Sequence, residues 1–249
     1  MKLAYAVSAL LLIFCLASKT NNAQSLEPDS SFHSMAISNA IQVYHHYLTP
    51  EPGLYNGSEY AGYPFRLTEG HQFFETNELV NGSIVYDGVL YENVPMQIDL
   101  ITEHVIIKCF GGAYLMQLIN EKISSFKLLD HTFIRITKDS ANSNVISTGF
   151  YDRLYTGNLT VLKKEQKKIQ ENVSIITGIT GSVTERNFYY LEKAAKFYNM
   201  KNKNSLLEVL HDKKKEIKQF IRKNKLKFKR DPDNVLIQIA RYYDTLNNK

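Results

Sequence analysis

The chain has 249 residues, 44% of them hydrophobic and 22% charged, with sixteen Tyr and thirteen Phe but no Trp. That composition is ordinary for a globular protein, and the two cysteines, Cys15 and Cys109, are too few for a cross-linked miniprotein. The net charge of +5 hides an asymmetry: residues 201–230 hold twelve Lys/Arg and three Asp/Glu, a local +9 that leaves −4 for the rest.

The N-terminus reads as a leader. Lys2 precedes an uncharged, mostly apolar run of fifteen residues, Leu3 to Ala17, and the polar SKTNNAQ follows. That layout predicts a secretory signal peptide over 1–24, cleaved after Ala23 or Gln24. The bulky Phe14 before Cys15 argues against a lipoprotein. No later run reaches the ~20 apolar residues of a spanning helix, so residues 25–249 are expected to be one soluble mature domain. Cys109, the single cysteine left, reads as a small buried hydrophobe on a strand.

Residues 31–48 carry Met35, Ile37, Ile41, Tyr44 and Leu48 near a helical period, ended by Pro50 and Pro52-Gly53. His45 and His46 lie within it, about 100° apart on a helix, and without further ligands they read as structural or surface histidines rather than a metal site. From 55 to 169 the pattern becomes β. Asp87-Gly88 between alternating apolar runs predicts a hairpin, and Pro95 predicts an edge or strand-start position. HVIIKC, YLMQLI, TFIRI and VISTGFYDRLY supply four more strands, and NLTVLKKEQKKI continues the sheet. The short spacings favour an antiparallel meander over βαβ crossovers.

Residues 171–186, poor in charge and rich in turn formers, read as a loop; without a following lysine, GITGS is not a phosphate-binding loop. Residues 187–201 read as a hairpin turning near Lys193-Ala194, with a helix as the alternative. Helices return over 204–246, capped by Asn204 or Ser205 and restarted by Asp231-Pro232-Asp233. The predicted class is therefore α+β: an N-terminal helix, a large antiparallel sheet of about 8–10 strands and C-terminal helices packed on it.

Chemistry is harder to find. There is no GxSxG, HExxH or EF-hand-like loop. No catalytic, cofactor-binding or metal-binding residue is assigned. Glu59, Asp87, Asp99 and Asp152 are the scattered carboxylates from which a glycosidase-like pair would have to come. Asn56, Asn81, Asn158 and Asn172 stand in sequons that matter only in a eukaryotic secretory pathway.

In the basic run, Leu206, Leu210, Ile217, Phe220 and Ile221 form an apolar stripe that Lys213, Lys214, Lys215, Lys218, Arg222 and Lys223 mostly avoid. Those six are a solvated helix face in the plainer reading and a contact for an anionic envelope surface in the sharper one. Nucleic acid is not the expected partner, since Phe220 and Phe228 look like core positions rather than stacking platforms.

The segments YNGSEY (55–60), GHQFF (70–74), GSIVYDGVLYENVPMQIDL (82–100), GFYDRLYTGNLTVLKKEQKKI (149–169), SLLEVLHDKKKEIKQFIRKNKLKF (205–228) and YYDTL (242–246) follow one another in order. Together they resemble an uncharacterised family of exported proteins of Bacteroidetes-type bacteria. The resemblance implies a Gram-negative envelope, in the periplasm or on the inner face of the outer membrane. It also supports the 187–201 hairpin, although relatives have a more turn-like pair than Ala194-Ala195. It carries no activity. The expected function is a non-catalytic envelope protein acting as a binding or assembly module. The alternatives are a carrier of lipid or another hydrophobic ligand in a sheet concavity, and a hydrolase using an unrecognised carboxylate pair.

Overall fold

The computed structural model describes residues 53–138, 145–176 and 178–247. The signal peptide expected over 1–24 and the helix expected over 31–48, with its two histidines, lie outside the described residues.

Strands dominate from residue 58 to 199. In chain order they are β1 (Ser58–Glu59), β2 (Arg66–Glu69), β3 (Val80–Tyr86), β4 (Val89–Asp99), β5 (His104–Lys108), β6 (Leu115–Gln117), β7 (Ile123–Leu128), β8 (His131–Ile136), β9 (Gly149–Thr156), β10 (Leu159–Ser174), β11 (Gly178–Lys193) and β12 (Lys196–Asn199). Three helices follow: α1 (Lys203–Val209), α2 (Lys214–Lys223) and α3 (Pro232–Asn247).

All the described strands belong to one sheet, in the order β1-β6-β5-β4-β3-β7-β8-β9-β10-β11-β12, with β2 added to β11. Large antiparallel sheet and C-terminal helices agree with the sequence reading, but the topology is not a simple meander. The chain runs outward from β3 through β4, β5 and β6, then returns to lay β7 on the other side of β3 before continuing to β12. The sheet is also mixed, because β2 pairs with β11 in parallel. The extra strands beyond the expected count include short β1 and β2, and β7.

The β3–β4 hairpin turns at Asp87-Gly88, both at positive φ (50° and 78°), as a two-residue primed turn requires. Pro95 is not at a strand start, but on its β5 side it is a local edge. It lies inside β4 beside the register shift between Gly82 and Ile84, and β5 pairs with β4 only from Met96 onward, so its missing N–H breaks no ladder there.

Residues 171–186 are not a loop. β10 and β11 pair residue for residue from Leu159↔Lys193 to Ser174↔Gly178, making a hairpin of two sixteen-residue strands. Residues 187–201 do form a second hairpin, turning at Ala194-Ala195, both at positive φ.

The helical part starts at Lys203, one residue before the expected 204, and its cap is not Asn204 or Ser205. Asn202 is the N-cap of α1, its side chain accepting from the N–H groups of Asn204 and Ser205 while Ser205 reciprocates as a capping box. Asp231 accepts from the Asn234 N–H ahead of α3, whose first residue is Pro232. No described helix is long and apolar enough to cross a membrane.

Two cores result. One gathers Ile84, Tyr86, Phe126, Phe133 and Phe150 with the β4–β6 aliphatics. In the other, Leu159, Val161 and Leu191 meet Leu206, Leu210, Ile217, Ile221 and Ile239. Phe220 stacks on Tyr242 at 4.2 Å, joining α2 to α3. Tyr151, Leu162 and Tyr190 pack beneath Ile146 in a smaller cluster. The sheet curls until β10 meets the β4–β5 turn: the Lys167 N–H donates to the Leu100 carbonyl at 3.1 Å, and its Nζ donates to the Phe73 carbonyl at 2.6 Å.

Candidate interaction surface

Three of the four carboxylates noted in the sequence are held by separate partners. Asp99, fully buried, accepts from the Tyr60 hydroxyl (2.7 Å), the Tyr63 hydroxyl (2.9 Å) and the N–H groups of Ile101 (2.8 Å) and Thr102 (3.1 Å). Burial and the Asp99 charge push both tyrosine pKa values upward, so both hydroxyls stay protonated as donors. Asp152 faces His131 Nδ1 at 2.6 Å, and Glu75 approaches His131 Nε2 at 3.3 Å. The hydrogen bond to Asp152, opposed by burial, raises the His131 pKa, which favours the imidazolium between two carboxylates. Asp87 pairs with Lys122 at 2.7 Å, and Glu59 is exposed on β1.

A further band of charge links the sheet to α3. Lys163 sits 3.3 Å from Glu165 and 3.4 Å from Asp233, which also accepts from the Tyr189 hydroxyl. Burial alone would lower the Lys163 pKa, but Asp233 and Glu165 outweigh it and the value is raised. Elsewhere, Asp212 ties Lys193 (2.7 Å) to the Tyr243 hydroxyl (2.8 Å). These contacts join elements to one another. Described clefts of about 390 and 550 Å³, lined respectively by His104, Asn120 and Glu121 and by Phe188, Asn199 and Phe228, each bring in at most one carboxylate. No group of three or more potential metal-ligating side chains occurs among the described residues. Cys109 is buried and free, its sulfur accepting from the Tyr114 N–H at 3.3 Å.

The structure places the six basic residues on or just before α2. Lys214, Lys215, Lys218, Arg222 and Lys223 are exposed and Lys213 is half-buried, while Ile217 and Ile221 point into the core. None of the six makes an ion pair with a described residue within 4 Å, in contrast to Lys122, Lys163, Lys164 and Lys193. They form one solvated face.

Sequence reasoning missed the other surface. At the far end of the β10–β11 hairpin, Val173 is 79% exposed, Ile176 94% and Ile179 51%, and Ile175 is fully exposed. Residues 172–180 contain no charged side chain. The backbone is paired to the end, Val173↔Ile179 and Ser174↔Gly178, and the Ile176 N–H donates to the Ser174 hydroxyl oxygen at 3.2 Å. The neck below is braced. β2 runs beside Thr180–Ser182, and Gly181 lies so close beneath Phe65, Leu67 and Ile169 that a Cβ there would sit 2.9 Å from each. Half-buried Phe65, Leu67, Ile169 and Val183 thus grade into the exposed aliphatics of the apex. The signal that could have found this surface was the β-branched content of VSIITGITGSV, which suits a strand.

No protein family, curated protein or solved structure matches this chain.

Proposed function

We propose that this chain is a non-catalytic exported envelope protein, a binding or assembly module whose contact element is the β10–β11 hairpin. The observation that carries the reading is the apex, where Val173, Ile175, Ile176 and Ile179 stand in solvent on a fully paired, braced hairpin. Exposed aliphatics in a group mark interaction sites, and an open strand edge is a liability unless something covers or blunts it.

The sequence features of an exported chain, the leader over 1–24 and the ordered segments resembling Bacteroidetes-type exported proteins, fit that role. The carrier reading finds less support: the sheet face beneath α1–α3 is filled by Leu159, Val161, Leu191 and the helical side chains. The hydrolase reading finds less still, since Asp87, Asp99 and Asp152 each have structural partners. The exposed basic face of α2 supports a second, electrostatic contact with an anionic envelope surface.

The test is retention of the full chain on Gram-negative envelope membranes by sedimentation. Wild type is expected in the pellet, and the double variant Ile175→Ser/Ile176→Ser in the supernatant with unchanged circular dichroism and thermal midpoint. Equal retention of the two proteins would overturn the reading.

A further inference from the structure

We infer that the apex of the β10–β11 hairpin inserts into the interfacial layer of a lipid bilayer. This rests on the hairpin being the contact element, and names what it contacts.

Three observations select lipid over a protein partner. The first is area. An aliphatic side chain supplies on the order of 100 Å² of apolar surface, so Val173, Ile175, Ile176 and half-exposed Ile179 together offer about 300 Å². A stable protein interface takes about 800 Å² from each partner, which makes the apex too small for a lasting contact with a second copy but sufficient for interfacial partition.

The second is the distribution of charge. Within the hairpin the charged residues nearest the turn are Glu171 and, on the facing strand, Glu185, and from beside it β2 brings exposed Arg66 level with Thr180. The rows beyond Arg66, from Val173↔Ile179 to the turn, are uncharged and span about 7–10 Å at strand rise. That matches the roughly 5–10 Å to which interfacial elements bury their apolar face.

The third is hydrogen bonding. Backbone groups in an apolar layer must find internal partners. Across the hairpin they do, down to Ser174↔Gly178, with the Ser174 hydroxyl oxygen taking the Ile176 N–H. The outward edges of β10 and β11 at 172–174 and 178–180 face away from that pairing, apart from the contact of Thr180 with β2. Entry is therefore shallow, at the depth where headgroups and water can still serve those edges.

The apex needs no anionic lipid. Along β10 it lies about 50 Å from Leu159, where α1–α3 pack, many times the ~8–10 Å screening length at physiological salt. The α2 lysines are remote from it.

The experiment is co-sedimentation of the full chain with phosphatidylcholine vesicles in 150 mM salt. Wild type is expected to bind, and Ile175→Ser/Ile176→Ser to bind at least tenfold more weakly. Ile175→Leu/Ile176→Leu, which keeps the apolar apex, is expected to bind like wild type. Failure of wild type to bind, or equal binding by the serine variant, would overturn the inference. If vesicles fail while envelope membranes still retain the protein through Ile175 and Ile176, the apex contacts a protein: the lipid inference falls and the hairpin reading survives. If envelope retention is also indifferent to those residues, both fall.

Discussion

Half-buried His131 and buried Asp99 are polar sites whose partners decide their cost. The His131 imidazole lies between Asp152 and Glu75, and its pKa is raised. A raised folded-state pKa gives stabilisation that is complete below the unfolded value of about 6.5 and is lost as pH rises through the folded value. His71 has the opposite sign: burial and then Lys167 lower its pKa, so its contribution is lost as pH falls. The raw pH profile mixes the two. The difference between wild type and His131→Gln isolates one. In urea titrations at pH 6 and pH 9, the wild-type advantage over His131→Gln should shrink at the higher pH; a constant gap would contradict the ion-pair account. At Asp99, removal of the carboxylate strands two tyrosine hydroxyls and two backbone N–H groups. Asp99→Ala should therefore cost about 3 kcal/mol in urea unfolding, with Asp99→Asn costing less because its amide oxygen still accepts.

At the level of elements, α2 illustrates how a charged sequence hides a packing unit. Ile217 and Ile221 are buried and the surrounding basic residues are solvated. Ile217→Ala should cost about 2–4 kcal/mol, whereas Lys218→Gln should change stability by less than about 0.5 kcal/mol; thermal and urea denaturation measure both. This amphipathic stripe was readable, as were the Asp87-Gly88 turn and the Asp231-Pro232 helix start, because each depends on neighbours in sequence.

Elements shaped by distant contacts were not readable. β7 buries Ile123, Phe126 and Leu128, a spacing of three then two, because the register shifts between Val85 and Tyr86 on its partner. The period-two signal is broken there by tertiary pairing. Residues 171–186 looked like a loop because Gly, Ser and Thr outnumber charged residues. Their β-branched side chains are strand formers, and the facing strand that pairs with them supplies what local composition does not. Of the candidate surfaces, the basic face was legible from helical periodicity. The apolar apex was not, because its exposure depends on the hairpin running past the sheet that supports its base.

Within residues 53–247, the sheet and the C-terminal helices set the two candidate surfaces far apart. The helices pack on the start of β10 and the end of β11, and the apex stands at the opposite ends of those strands. Two mechanisms of surface association then separate cleanly. Replacing Lys214, Lys215, Lys218 and Arg222 with Gln should leave binding to phosphatidylcholine vesicles unchanged and remove only an additional, salt-sensitive gain on vesicles containing phosphatidylglycerol. Loss of binding to neutral vesicles in that variant would mean that α2, not the hairpin, makes the primary contact.

The absence of tryptophan from the chain permits a direct measurement at the apex. A single reporter, Ile176→Trp, is compared with Lys215→Trp on α2, each in the full-length protein with phosphatidylcholine vesicles carrying brominated acyl chains. The hairpin account predicts a blue shift and strong bromine quenching at position 176, with little change at position 215. An unshifted, unquenched reporter at 176 under conditions where the protein sediments with the vesicles would contradict it.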